Sequence, residues 1–248
     1  MIMMQAYHMK QTFPLAFQDV HYMALLYSAD PTAVDKHLQS TGLKPALFFF
    51  GKPVVAIGLI QYKASDLGAY NEIILSIPVV LKDHHASHLS NWLDLYAGFE
   101  KRKGGQYIIH IPVTSQLSVD GGRNLWGYPK TLEPIRHQFT QNKIESSLDN
   151  PKGHPIMTWK GSLGPGIMIP TMNLMTYSFM ENQLMKTTVD VKAKMKWYPL
   201  ANIQLSVDND ESEMAKNVQL LGLPSKKPLA VLGAARFSAL FHAPLKMH

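Results

Sequence analysis

Between Thr187 and Trp197, apolar and polar residues alternate without a slip. Val189, Val191, Ala193, Met195 and Trp197 take the odd positions, and Thr188, Asp190, Lys192, Lys194 and Lys196 the even ones. Period two is the repeat of an extended strand, whose successive side chains leave opposite faces, so one oily and one solvated face are expected. Ile203, Leu205 and Val207 continue the pattern after a break at Pro199. Further strands are predicted at His21–Tyr27, Val54–Tyr62, Tyr70–Pro78, Tyr107–Val113, Pro134–Thr140 and Leu229–Phe241. Lys143–Leu148 and Ile156–Lys160 flank Asp149-Asn150-Pro151-Lys152-Gly153, a turn sequence that predicts a hairpin.

Helical signals are fewer. Asp30-Pro31 pairs a cap residue with proline at the first helical position, and Gly42 is expected to close that helix. Asp210 is read as opening a second helix carrying Met214, Val218 and Leu221, stopped by Gly222 and Pro224. His88–Glu100 has helical spacing, and Leu117–Leu125 reads as a short helix weakened by Gly121-Gly122, at about 1 kcal/mol per glycine. Many strands, few short helices and no regular βαβ alternation predict an antiparallel α+β fold and argue against a parallel doubly wound one.

Composition bounds what such a chain can do. At 248 residues without a linker-like tract or repeat, one domain spanning 1–248 is expected. With 46% hydrophobic and 17% charged residues the chain has the makeup of a packed protein rather than a disordered one. There is no cysteine, which excludes disulfides, zinc–thiolate sites and thiol nucleophiles. The longest apolar runs, Ala46–Phe50 and Val54–Ile60, are far short of the roughly 20 residues of a spanning helix. Met1–Lys10 lacks a basic segment followed by an apolar run, so no secretory signal, no membrane association and a cytoplasmic location are expected.

The densest chemistry lies in Gly121-Gly122-Arg123-Asn124-Leu125-Trp126-Gly127-Tyr128-Pro129-Lys130-Thr131-Leu132. Proline restrains itself and its predecessor, so Lys130 leaves a stiff turn in a defined direction. Trp126 and Tyr128 could strip water from its amino group. An ordinary lysine is almost wholly protonated at neutral pH, and only the neutral amine attacks a carbonyl; making the two forms equal near pH 7 means destabilising the charged one by roughly 4–5 kcal/mol. Composition alone leaves open a plain surface lysine after a turn, with Trp126 and Tyr128 in the core.

The Gly122–Lys130 run, Gly-Arg-x-x-x-x-Tyr-Pro-Lys, resembles the active-site segment of the acetoacetate decarboxylase family. Leu67-Gly68-Ala69-Tyr70-Asn71-Glu72, leading into Ser76-Ile77-Pro78-Val79, is similar to the family stretch that carries an active-site glutamate, and the order of the two segments agrees. The resemblance implies a cone-like barrel of curved, mainly antiparallel strands with short flanking helices, assembled as a homo-oligomer. It also implies that Lys130 forms an imine with a small keto acid, without metal or organic cofactor, and that the protonated imine accepts the electron pair released when a neighbouring carbon–carbon bond breaks. Decarboxylation is the family-named reaction. An aldolase or dehydratase using the same lysine, or a non-catalytic keto-acid-binding protein, are the alternatives. Glu72 would orient the imine or shuttle a proton; alternation puts it on one face with Tyr70 and Ile74, and an ordinary strand-edge carboxylate is the bland reading.

Three positions depart from the family pattern. The second lysine that follows the nucleophile is Thr131 here. By ungapped spacing, an upstream family glutamate falls at Ile57, and an arginine near the first strand at Val20. Lys130 is then expected to be neutralised mainly by desolvation, with Ile57 and Val20 as apolar neighbours. Tyr70, Trp126 and Tyr128 complete the expected substrate pocket. Arg123 is either a substitute partner for the substrate's carboxylate or a brace on the lysine loop, the second being preferred.

Other signals are weaker. His84, His85 and His88, with Asp83 and Asp94 nearby, lack a recognisable metal-ligand pattern, so no metal is expected. His110, between two isoleucines, is read as an ordinary strand residue. Lys186, Lys192, Lys194, Lys196, Lys226, Lys227 and Arg236 make part of a basic surface, consistent with the formal charge of +6. Nucleic-acid binders interleave aromatics on such a face, whereas alternation assigns Trp197 to the buried side, so no nucleic acid is expected. Met172, Met175, Met180 and Met185 read as core fillers.

Overall fold

The computed structural model describes residues 12–85, 88–94, 96–208 and 211–247. The Met1–Lys10 stretch and Asp210 therefore lie outside the described residues. Seven strands close on themselves: β1 (Leu15–Ser28), β2 (Lys52–Ser65), β3 (Tyr70–Leu81), β4 (Gly105–Val113), and, after the intervening segments, a hairpin and a last long strand. The short strand β5 (Lys130–Leu132) lies beside β4. A separate four-stranded sheet holds β6 (Ile135–Phe139), β7 (Lys143–Asp149), β8 (Pro155–Ser162) and, later, Asn202–Val207. The hairpin is β9 (Leu174–Met180) and β10 (Gln183–Ala193); β11 is Asn202–Val207 and β12 is Ala230–Phe241. The barrel order is β1-β2-β3-β4-β9-β10-β12 and back to β1, and the second sheet runs β11-β8-β7-β6. The expected mainly antiparallel barrel is thus present as a mixed one, because β4 pairs in parallel with both β9 and β5.

Among the described residues four short helices decorate the strands: α1 (Pro31–Leu38), α2 (His88–Asp94), α3 (Gln116–Trp126) and α4 (Glu213–Leu220). Asp30 caps α1 by accepting from the Ala33 amide at 2.9 Å. Ser212 caps α4, two residues after the Asp210 start read from sequence. The His88–Glu100 span is helical only to Asp94 and continues as turns. None of the described helices is long and apolar enough to cross a membrane.

The barrel wall is buried on both sides. On β1 to β3 the even-numbered residues Ala24, Ala56, Gly58, Ile74 and Ser76 face the lumen. Odd-numbered Met23, Leu25, Ile57, Leu59, Ile73 and Leu75 face outward into a core shared with the second sheet's Trp159, Leu148 and Leu205 and with α4's Met214 and Val218. A strand covered on both faces reads as a continuous apolar run rather than an alternating one, which is why Val54–Ile60 shows no period. The Thr187–Trp197 alternation ends as a strand at Ala193, and Lys196–Trp197 pairs separately with β12. Trp197 is 40% exposed, not buried as alternation suggested, because this break ends the parity.

One outer-layer residue ties the two sheets together at a critical point. His137 on β6 is buried, with Nδ1 2.8 Å from Ser146 Oγ and Nε2 3.2 Å from the backbone carbonyl of Glu72. The carbonyl can only accept, so Nε2 carries the proton and Nδ1 accepts from the serine. Burial brings the His137 pKa down to about 4. Because the folded form then binds fewer protons than the unfolded one, its contribution is complete above about pH 6.5 and lost progressively as pH falls toward 4, amounting to about 3 kcal/mol. Urea titrations at pH 7 and pH 4.5 should show this loss, and His137→Gln should shrink the difference between the two pH values. An unchanged pH dependence in the variant would place the acid sensitivity elsewhere.

Candidate active site

The Tyr-Pro turn delivers Lys130 into the lumen through a set of local devices. Helix α3 ends at Gly127, in the left-handed conformation at φ 65°, whose amide bonds the Arg123 carbonyl; the Tyr128 amide bonds Gly122's at 3.1 Å. After Pro129 the chain joins β4 in parallel register, Lys130 beside Ile111 and Thr131 beside Pro112. A register shift in β4 between His110 and Ile108 changes which parity faces inward, so Ile111 and Lys130 share the lumen side with Ile108. Arg123 donates from Nε to the Lys130 carbonyl at 2.7 Å and fixes helix to strand.

Lys130 is 5% exposed and Glu72 2% exposed. Lys130 Nζ donates to Glu72 Oε2 at 2.7 Å and to Ser118 Oγ at 2.9 Å, and Tyr62 donates to the other carboxylate oxygen at 3.0 Å. The Tyr70 ring centroid lies 5.4 Å from Nζ. Burial, and then the Glu72 charge, hold the phenols of Tyr62 and Tyr70 well above the usual tyrosine range, so both remain neutral. The Glu72 carboxylate is therefore gripped by two donors in a water-poor site, where paired charges hold each other and an unpaired one would be costly.

Helix α3 is shaped for this lysine. Ser118 and Gly122 are four residues apart and so share one helix face: the serine receives the amino group and the glycine leaves space for the aliphatic stem. A Cβ at residue 122 would lie 2.7 Å from Lys130 Cε and closer still to Cδ. The Gly121-Gly122 pair, which weakens the helix on propensity, is explained by this approach.

A cavity of about 390 Å³ fills the lumen, within the range of ligand pockets, about 300–1,000 Å³. Lys130, Glu72 and Tyr70 lie on its wall, as do Trp126, whose Nε1 donates to the His242 carbonyl at 2.9 Å, and Tyr128, whose hydroxyl is 2.7 Å from Thr176 Oγ1. Three sequence expectations need correction. Ile57 faces the outer core, and its neighbours Ala56 and Gly58 line the cavity instead; a one-residue offset in a strand exchanges the two faces. Val20 packs inside the barrel wall but does not reach the cavity, which Phe17 and Tyr22 line, because register shifts on both sides of Val20 defeat ungapped counting. Arg123 lies outside the cavity, so its reading as a partner for the substrate's carboxylate falls, and the preferred one, a brace on the lysine segment, holds. Thr131 points to the other side of β5, 3.1 Å from His110 Nε2 and donating to Glu133 at 2.6 Å.

Sequence reasoning passed over Ser118, Tyr62 and Arg102. Ser118 was visible in the serine–glycine spacing along α3, and Tyr62 in its parity with Ile60 on β2. Arg102 had no local signal; it lines the cavity, as Gln106 does, and is 4% exposed. Among the described residues no group of three or more His, Asp or Glu is placed to hold a metal; the side chain of His88 lies outside them.

A barrel whose lumen holds a buried lysine–carboxylate pair in an apolar cavity has the construction of a small-molecule site. The profile of the family "Acetoacetate decarboxylase (ADC)" matches residues 2–225, and the chain belongs to that family. An acetoacetate decarboxylase of Chromobacterium violaceum is 27% identical over 137 residues, which is 55% of this chain and 46% of that enzyme, so the match spans about half the curated relative's length. The crystal structure of acetoacetate decarboxylase from Legionella pneumophila superposes with a TM-score of 0.70 at 17% identity, covering 99% of this chain and 92% of that one. The enduracididine biosynthesis enzyme MppR, complexed with pyruvate, gives 0.64 at 12% identity over 97% and 93% of the two chains. These structural likenesses establish the shared fold.

Because Gly122 faces the lysine stem, Gly122→Ala should cost about 1–3 kcal/mol by overpacking. Gly121→Ala, whose Cβ would meet only the flexible Leu67 side chain at 3.3 Å, should cost less. Chemical denaturation of the two variants checks the order, and equal losses would remove the lysine stem as the cause.

Proposed function

We propose that the protein is a Schiff-base lyase of the acetoacetate decarboxylase type, in which Lys130 attacks the carbonyl of a keto acid. The observation that carries this reading is the Lys130 amino group held 2.7 Å from the Glu72 carboxylate on the wall of an otherwise apolar cavity. Lys130 passes a proton to Glu72 and its lone pair bonds the carbonyl carbon. The carbonyl oxygen then leaves as water after taking up two protons, giving an iminium. When a carboxylate borne by the carbon adjacent to the iminium carbon departs as carbon dioxide, the bonding pair forms the new carbon–carbon double bond, the iminium pair passes to nitrogen, and an enamine is left. A proton returned to carbon, with Glu72 as its source, and attack by water restore the amine and release the ketone. Tyr62 keeps Glu72 oriented through these transfers, and Ser118 keeps the amino group aimed.

A second reading uses the same iminium for aldol addition and dehydration. The fold shared with MppR, whose structure was solved in complex with pyruvate, favours keeping it. A non-catalytic keto-acid binder on this scaffold would retain the cavity without turnover. Following the family, a homo-oligomer in the cytoplasm, needing no metal or organic cofactor and contacting neither nucleic acid nor membrane, with residues 1–248 acting as one domain, completes the proposal.

Incubation with acetoacetate or pyruvate followed by borohydride should leave a reduced adduct on Lys130, located by peptide mass spectrometry. Lys130→Arg, which stays charged, should give none, and adducts that persist in it would put the nucleophile elsewhere. Glu72→Gln should slow turnover by about 10²–10⁴-fold, as loss of a proton-transfer group does. Carbon dioxide release separates decarboxylation from aldol chemistry, and reversible binding without any adduct would favour the binder.

A further inference from the structure

The cavity has a second polar end that the imine chemistry leaves unused. Glu72 and Ser76 both face the lumen from β3, four residues apart, a separation of about 13 Å in extended chain. Ser76 donates its hydroxyl to Gln106 Oε1 at 3.0 Å, and the buried Arg102, four residues before Gln106 in the chain, lines the same cavity. Small residues line the lumen along this path, Ala24 and Gly58 level with Ile74 and Ala56 opposite Ser76, so a chain can pass from one end to the other.

Arg102 donates from Nε to the Gly104 carbonyl at 3.0 Å and from Nη1 to the Asn173 carbonyl. A guanidinium has five N–H donors, so three have no protein acceptor among the described residues. No described carboxylate lies within ion-pair distance. Asp94, whose charge favours the guanidinium from farther away, is engaged with the Lys103 and Gly104 amides. A brace between two carbonyls would explain the two bonds made. It leaves unexplained a buried cation that lines the cavity with donors to spare, an arrangement that is expensive without an anion.

We propose that Arg102, with Gln106, is an anion subsite, and that the substrate is a keto compound carrying a second anionic group at the far end of an apolar chain. That remote carboxylate is additional to any carboxylate lost as carbon dioxide. The assignment of the ketone end to Lys130 rests on the function proposed above; the anion subsite does not. Arg102 is well suited to it, since its planar fork matches a carboxylate.

The test separates the two. Decanoate and decanol have no ketone, so their binding, followed by calorimetry, reads the Arg102 end alone. Decanoate should bind more tightly than decanol. Arg102→Gln should weaken decanoate by roughly ten- to hundredfold, as expected for losing a charged hydrogen-bond partner, and leave decanol nearly unchanged. Equal effects on both ligands, or no effect on decanoate, would overturn the subsite. Should Arg102→Gln fail to fold, Ala56→Phe, which fills the passage, decides instead: decanoate binding should be lost, and unchanged binding would overturn the proposal. Borohydride trapping then joins the two ends. The oxodecanoate whose ketone adjoins its terminal methyl should label Lys130 at lower concentration than the matching methyl ketone without a carboxylate. Equal labelling would sink the remote-anion substrate while leaving imine chemistry standing. Arg102-dependent decanoate binding with no adduct from any ketone would do the reverse.

Discussion

One buried ion pair organises this molecule. The Lys130 amino group and the Glu72 carboxylate meet where little water reaches them, so each is the main reason the other can carry charge there. Removing water from two charges costs several kcal/mol per ion, and the site offsets this with extra hydrogen bonds from Tyr62 and to Ser118. Those partners come from β2 and α3, while the pair itself bridges β5 and β3. The helix cap at Gly127, the register shift in β4, the glycine under the lysine stem and the Arg123 brace can all be read as what places one amino group within 2.7 Å of one carboxylate.

This changes how the lysine's surroundings are understood. Sequence suggested an amine left neutral by apolar neighbours. The structure instead sets a carboxylate 2.7 Å from it, so burial and a paired charge act on the amino group together. It also gives physical content to the residue after the lysine. Thr131 lies across the pleat from the lumen, engaged with His110 and Glu133, so a cation there would be directed away from the Lys130 amino group rather than toward it.

What could be read from the sequence followed the reach of its periodicity. Glu72 was placed beside Tyr70 and Ile74 because counting by two from Tyr70 meets no register shift before Leu75, and the structure keeps that parity. The hairpin of β7 and β8 was legible in its turn residues. Faces were lost where both sides of a strand are covered, as around Ile57, or where register shifts interrupt the count, as around Val20. The mixed pairing of β4 has no local signature, and neither does Arg102, whose position in the lumen is created by the path of a loop between α2 and β4.

The doubly buried wall divides labour along each strand. In β1 to β3 one set of alternating positions meets the ligand space, and the other holds the barrel to its outer layer. Cavity shape can therefore drift through Ala24, Ala56 or Gly58 while Leu25, Ile57 and Leu59 continue to anchor the scaffold. A lineage built this way can explore new chemistry through half of its letters and keep its architecture with the rest.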